Sequence, residues 1–508
     1  MGSRRFTALL LACVAAPAAI LAGCGGGGSS NVDVGPAAAV PASTPIYLDA
    51  TVKPTGSAQT DAKAALSKIL ATPDPGSKIV SLINQQKTST GQPVNYQTDI
   101  APWLGEKAGA FFTTLGNNSQ GASVIETTNP SAALAFAQKA NGTSGAPKSV
   151  DGVSVQTAQN GTTAYATVGN FLLVGDEPSV EAAIHADKGD TDSLGDDSDF
   201  KDSLGDLPDD RLGTLYTVPK TVIDALGSQF DAATQSALEK SAGDNLDEPV
   251  AGAVTASADT VELEATGGSN GVDTPESSLL GDVPGQSWLA LGIGNLGDNL
   301  KQSIDQLKDQ IPNFDAAQQQ IEQATGSTLD QLENSLGDAV IYVQGTTQQT
   351  LSGALVIQSK DTSLTGRLLG QLQGLLQLGG SVKPLQLSGG GTGFQLTDPS
   401  IPQPIEIAQQ GDKIVIGYGA GSAEASLTPA QTLSSSPTYS AAKGQVSSLG
   451  TDLFLNLQSI FALAESQGAK SDPQYVQAKP YLNALSYVVT GSGASGDKAE
   501  FKAVLGLK

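Results

Sequence analysis

Apolar residues recur along this chain on two scales, one with the period of a helix and one too short for anything but strands. Ile46-Tyr47-Leu48 opens a strand. Asp61 to Leu70 and Gly76 to Gln86 follow with apolar residues at helical spacing: Ala65, Leu66, Ile69 and Leu70, then Ile79, Leu82 and Ile83. These helices are expected to lie on a sheet. Short β-branched or aromatic runs at Ala108 to Thr114, Ala122 to Thr127, Ala339 to Gln344 and Ala354 to Gln358 end in polar clusters and read as strands. Asn129, with Pro130 behind it, and Asp361 are placed to cap helices. Short amphipathic helices over Asp99 to Leu104 and Thr328 to Leu336 are expected to stop at Gly105 and Gly337. Hairpin-like runs over Val153 to Val174 and Phe394 to Ile416 lead to helices beginning near Ser179 and Ser422. Strands at Leu212 to Val218 and Thr451 to Leu457 and a last hairpin close each half. A parallel sheet needs a crossover after nearly every strand, so this order predicts an α+β fold with largely antiparallel sheets and packed helices.

The same elements occur twice. Leu104-Gly105-Glu106 matches Leu336-Gly337-Asp338, Gly121-Ala122 matches Gly353-Ala354, and Asn129 matches Asp361, all at one spacing. Gly169-Asn170 through Val174-Gly175 matches Gly411-Asp412 through Ile416-Gly417 at a longer spacing, because the second copy has a glycine-rich hairpin around Gly389 to Gly393. Two tandem homologous domains are expected, at 41–267 and 284–508, joined by a linker at 268–283.

The N-terminus carries an address. Arg4 and Arg5 precede an apolar run from Phe6 to Ala22, the charged and apolar regions of a secretory signal. Leu21-Ala22-Gly23-Cys24 resembles the lipobox of bacterial lipoproteins, which implies cleavage after residue 23 and a lipid on Cys24. Residues 1–23 are then a signal peptide, and 24–40, rich in Gly, Ser, Ala and Pro, a flexible tether. This places the protein on the extracytoplasmic face of the cell membrane, held by its lipid.

Composition narrows the partners. The chain has 27 basic and 51 acidic residues and a net charge of −24, which repels phosphate backbones and anionic headgroups. Nucleic acid is excluded, and attachment to the membrane must come from acyl chains rather than a basic patch. Of the two cysteines, Cys13 goes with the signal and Cys24 is consumed by lipid, so no disulfide is expected. With 39% hydrophobic residues the bulk should be folded, and 508 residues are more than one core usually serves.

Beyond the lipobox, the strand opening Pro45-Ile46-Tyr47-Leu48, the segment Ala101-Pro102-Trp103-Leu104-Gly105 and the later Leu207-Pro208-Asp209-Asp210 before a strand bearing Tyr216 form a recognisable set. Together they resemble the bacterial family catalogued as domain of unknown function 3352. That resemblance covers nearly all of the exported chain and implies no activity and no catalytic residues. The second half has Asn334-Ser335 where the first has Pro102-Trp103, so the Pro-Trp pair is not needed to fold the domain.

Candidate chemistry is sparse. His185 is the only histidine, near a helix end flanked by Glu181 and Asp187, and Gly493-Ala494-Ser495 followed by Asp497 lacks the last glycine of a nucleophile elbow. A histidine favourably seated at a helix C-terminus is the simpler reading. In the acidic stretch Asp187 to Asp210, Asp190-x-Asp192 followed by Gly195 starts like a calcium loop. Leu194 and Lys201 then stand where ligands belong, which leaves a solvated loop with at most weak calcium binding. One histidine and no free thiol argue against zinc, and no phosphate loop is present. Trp103 and Trp288 adjoin strand starts and are expected in the core rather than as sugar platforms. The expectation is therefore a non-enzymatic binding or scaffold lipoprotein without catalytic residues, cofactor or metal, whose partner is an envelope protein. The alternative is a carrier of lipid or another apolar ligand, for which Leu364 to Leu378 is apolar enough to line a cavity, although a buried core helix is its plainer reading. A hydrolase using Asp and Glu pairs finds no spacing to support it.

Overall fold

The computed structural model describes residues 34–508 apart from short stretches at 87, 89–90, 117, 230–233, 237–238, 240–244, 269–274, 309–312, 378–380 and 497. The signal segment and Cys24 lie outside the described residues, as does Asp497. The chain divides into two compact units between Asn270 and Gly271.

In the first unit the strands are β1 (Ile46–Thr51), β2 (Leu104–Thr114), β3 (Gln120–Thr127), β4 (Lys148–Val150), β5 (Val153–Thr157), β6 (Ala164–Val168), β7 (Phe171–Gly175), β8 (Gly213–Thr217), β9 (Val250–Ala256) and β10 (Thr260–Gly268). The helices are α1 (Gly56–Ile69), α2 (Pro75–Asn84), α3 (Pro130–Asn141), α4 (Glu177–Lys188), α5 (Ser198–Gly205) and α6 (Pro219–Leu226). Every strand pairing is antiparallel, in the order β10-β9-β8-β1-β2-β3-β7-β6-β5-β4. One core cluster gathers Tyr47, Phe111, Val124, Leu173, Val180, Ile184, Leu194 and Phe200. A second gathers Trp103, Ala133, Ala137, Tyr165 and Leu172.

The second unit contains β11 (Ser287–Ile293), β12 (Leu336–Gln344), β13 (Ser352–Ser359), β14 (Ser381–Pro384), β15 (Thr392–Thr397), β16 (Ile405–Gln410), β17 (Lys413–Tyr418), β18 (Gly450–Asn456), β19 (Leu485–Ser495) and β20 (Lys498–Leu507). Its helices are α7 (Leu296–Leu307), α8 (Phe314–Thr325), α9 (Leu329–Asn334), α10 (Thr362–Gln377), α11 (Ser422–Leu427), α12 (Pro437–Gln445), α13 (Leu457–Ser466) and α14 (Pro473–Leu482). The antiparallel order is β20-β19-β18-β11-β12-β13-β17-β16-β15-β14, the first unit's order strand for strand. The fold class is α+β, as the hairpin-rich pattern implies.

Several boundaries differ from the sequence reading. The tether expected over 24–40 cannot extend past Val34, because Gly35–Ala39 forms a 3-10 turn whose Ala37 and Ala39, with Val40, are fully buried. An alanine-rich stretch has little apolar area, but small side chains let the backbone approach closely: a Cβ on Gly195 would lie 2.8 Å from the Ala38 Cα. The linker expected over 268–283 is likewise shorter. Gly268 ends β10, while Leu279, Leu280 and Val283 belong to the second unit's core and the Ser277 hydroxyl donates to the Ala339 carbonyl at 2.8 Å.

The two opening segments are held alike, by a Pro41 bridge to Ser193 and a Pro284 bridge to Thr432. Helix Asp99 to Leu104 is replaced by one turn over Tyr96–Ile100, and Gly105 lies inside β2. A Cβ there would stand 2.5 Å from the Glu126 Cβ and 2.8 Å from its carbonyl carbon, so this glycine permits a close strand crossing rather than capping a helix.

The acidic stretch is only partly a solvated loop. Leu194, Phe200, Leu204 and Leu207 are buried, and Asp197 caps α5 by accepting from the Phe200 amide at 3.0 Å. Ser436 does the same for α12 in the uncharged counterpart. Asp197 serves here as a cap, which any short acceptor can do.

Candidate functional site

Two features qualify: an apolar sheet face in the second unit and a polar cluster in the first. The face follows from strand register. Leu453, Leu291, Ile341, Leu355, Ile416 and Ile407 stand side by side across six strands, β18-β11-β12-β13-β17-β16. Alternation puts their neighbours Phe454, Ala290, Tyr342, Ala354, Gly417 and Ala408 on the opposite, buried face. No residue of the aliphatic row is buried; Ile341 is 36% exposed and Ile416 43%.

The matching row of the first unit runs Leu215, Leu48, Ala110, Ser123, Val174 and Tyr165. It is less aliphatic yet better covered, with Ser123 and Val174 at 8% and Tyr165 at 0% exposure. Val174 and Tyr165 belong to a core cluster with Trp103, whose ring lies 5.6 Å from that of Phe136 on α3 and whose indole N–H donates to the Asp99 carbonyl at 2.6 Å. Ser335 stands at Trp103's place in the second unit and covers far less area.

The helices of the second unit leave apolar surface open too. Buried residues are absent from α8, α13 and α14, and α10 buries only Thr365. Leu300 on α7, Ile321 on α8 and Leu372 and Leu375 on α10 are exposed, Leu375 by 66%. The buried core helix read for Leu364 to Leu378 is thus corrected over its described residues: Leu364, Leu368 and Leu369 are only half-buried and Leu372 and Leu375 face solvent.

Polar contacts hold these helices. Glu465 on α13 accepts from Lys479 at 2.6 Å and Tyr475 at 3.0 Å on α14, and Lys479 with Tyr475 brings its carboxyl down to about 2 from an ordinary 4.5. Lys301 on α7 pairs with Asp330 on α9 at 2.6 Å, and Arg367 on α10 donates to the Ser327 hydroxyl at 2.7 Å. A separate cleft of about 440 Å³, lined by Gln286, Gln344, Thr346, Ser436, Asn456 and Ser459 among others, contains no titratable side chain. Trp288 lies in β11 beside it, only partly buried, its indole donating to the Gly345 carbonyl at 2.9 Å.

The polar cluster centres on His185. Asp176 caps α4 by accepting from the Ser179 amide at 3.0 Å, and Val180, Ala183 and Ile184 bury one side of the helix. His185 occupies the last turn. Gly189 takes the left-handed conformation and the Asp190 amide donates to the His185 carbonyl at 2.9 Å, folding Asp190 back beside the ring.

Asp151 arrives from elsewhere. Val150-Asp151-Gly152-Val153 is a two-residue hairpin turn in which Asp151 (φ 48°) and Gly152 (φ 78°) are both left-handed, as the tight β4–β5 connection requires. Lys148 on β4 pins that hairpin to α4 through Glu177 at 2.9 Å and through Glu181. His185 Nδ1 then lies 2.6 Å from Asp151 Oδ2 and 3.8 Å from Asp190 Oδ2. Glu181 and Asp187, its flanking acids in sequence, are not its partners. Among the described residues no hydroxyl or thiol pairs with His185, so the arrangement lacks a nucleophile. Reasoning along the chain missed Asp151, although an Asp-Gly pair between apolar residues is a hairpin signal.

No curated protein matches the chain. Among solved structures, crystal form IV of TP0453 is 11% identical, covering 78% of this chain and 97% of that one with a TM-score of 0.18. Crystal form I of TP0453 is 10% identical and covers 78% and 98%, with a TM-score of 0.16. Scores so low carry no argument. No helix among the described residues is long and apolar enough to cross a membrane. The model of one family, described as "Protein of unknown function (DUF3352)", matches residues 7–501. Because that match spans nearly the whole chain, the chain belongs to the DUF3352 family.

Proposed function

We propose that this protein is an envelope lipoprotein, anchored by lipid on Cys24 at the extracytoplasmic face of the cell membrane, that works by binding rather than by catalysis. We further read the two units as copies of one ancestral domain, which the matching strand orders support, with the second specialised to take an apolar ligand such as a lipid chain. The observation that carries this choice is the aliphatic row through Ile341 and Ile416, more apolar than its counterpart in the first unit and less covered. Solvated aliphatic surface of this extent costs free energy, and a hydrocarbon ligand that needs no hydrogen-bonding partner removes that cost.

Two results are expected. Cys24→Ala removes incorporation of labelled lipid and releases the protein from the membrane fraction, since two acyl chains anchor stably where none does; a variant still labelled by lipid overturns the anchor. A fluorescent long-chain fatty acid binds the full chain, and Ile416→Asp weakens it by roughly tenfold or more, the effect of about 1.5 to 3 kcal/mol of lost apolar burial. Equal binding by Ile416→Asp, or none by the native protein, overturns the apolar ligand while leaving the anchor standing.

A further inference from the structure

We propose that Asp151, His185 and Asp190 form a binding site for one transition-metal dication of the zinc or manganese type, in the first unit only. Two separately anchored pieces of chain supply the donors: the turn between β4 and β5, and the C-terminal end of α4, which gives His185 from its last turn and Asp190 from just after its closing glycine. One imidazole nitrogen and one oxygen from each carboxylate lie within 4.8 Å of one another. Zinc binds such atoms at about 2.1 Å, which sets neighbouring ligands of a tetrahedral ion about 3.4 Å apart. The observed separations from His185 Nδ1, 2.6 Å and 3.8 Å, bracket that value, so rotations of the side chains suffice to make room for an ion between Nδ1 and the two carboxylates.

Charge points the same way. Among the described residues neither Asp151 nor Asp190 pairs with a lysine or arginine, whereas Glu177 and Glu181 of the same helix are both satisfied by Lys148. Two carboxylates and a neutral imidazole carry two negative charges, which a dication cancels. The site also sits at the C-terminal end of α4, where the last carbonyls add partial negative charge. A nitrogen donor with only two carboxylates favours zinc, manganese or their neighbours over calcium, which takes six to eight oxygens. The sequence inventory that argued against zinc counted histidine and cysteine alone and left out carboxylates. Helix α11, the counterpart of α4, has no histidine, so one ion per chain is expected. Three protein ligands leave a coordination position open, the arrangement of an exchangeable ion that can take a further donor from solvent or a partner.

The test is calorimetric titration of the chelator-stripped full chain with zinc chloride, alongside His185→Ala and Asp190→Asn, each checked for native circular dichroism. One zinc per chain is expected. His185→Ala lowers its affinity by at least about a hundredfold, since losing a ligand costs more than losing the outer-shell partners that already cost 10–100-fold. Excess calcium leaves zinc binding intact. Asp190 lies on an exposed bend, so Asp190→Asn keeps the fold and still weakens binding. Lack of stoichiometric zinc binding overturns the proposal. So does equal affinity in His185→Ala, which would assign the zinc to the acidic surface at large.

Discussion

Phe200→Ala is expected to lower the stability of the first unit by about 3 to 5 kcal/mol, the range for emptying an aromatic position in a core. Phe200 is fully buried and stands edge-on to two tyrosine rings, 5.7 Å from Tyr47 on β1 and 5.0 Å from Tyr216 on β8. Its loss leaves a cavity against the centre of the sheet, because β1 and β8 are adjacent. In a unit of this size the melting temperature should drop by roughly 10 °C or more. A drop of only a degree or two in thermal circular dichroism would show that α5 is not part of the cooperative core. Tyr439 on α12 is the built-in control: it packs on Phe454 at 5.2 Å, but its buried hydroxyl has no hydrogen-bond partner among the described residues, and burial pushes its pKa up to about 12. Tyr439→Phe removes only that unmet group and is expected to leave stability unchanged or raised by about 1 kcal/mol.

Gly353→Ala and Gly370→Ala are expected to have opposite signs although both make the same chemical change. On β13, a Cβ on Gly353 would lie 2.4 Å from the carbonyl oxygen of Tyr342 on the paired strand, and backbone cannot step aside as a side-chain tip can. The β12–β13 pairing must distort, at about 1 to 3 kcal/mol or more. On α10, Gly370 is exposed and a methyl added there would meet nothing within 4 Å, so alanine gains helix propensity of about 0.5 to 1 kcal/mol. Equilibrium urea unfolding separates the two, and a stable Gly353→Ala would mean the strand crossing is looser than it stands.

The same contact explains why the repeat was legible. A Cβ on Gly121, the partner of Gly353 in the sequence match, would likewise lie 2.3 Å from the Phe111 carbonyl oxygen, so Gly-Ala at both places answers one steric demand that recurs with the strand order. Strands and caps could be read because they depend on local alternation and a single acceptor, as at Asn129. The opening turns at 35–39 and 280–282 could not, because Ala37 and Leu280 are buried by partners far along the chain. The polar cluster failed for a related reason: Glu181 and Asp187 are near His185 in sequence, while Asp151 reaches it only through a hairpin pinned by Lys148. The aliphatic row was equally hidden. Each of its residues is an ordinary strand residue, and only the register of six strands puts them side by side.

The central place of β1 governs the timing of assembly. Its one edge is met by β2 soon after synthesis, with Ile46 opposite Phe112, but its other edge waits for β8, where Ile46 meets Thr217. Closing so long a loop is slow, and an unpaired strand edge is a template for pairing with another chain. The second unit repeats the arrangement, with Leu289 waiting for Leu455. A chain delivered from its N-terminus onward therefore carries each half-sheet with an open edge until most of that unit has emerged, and it is over this interval, rather than in the finished fold, that the protein most needs shielding from its own copies.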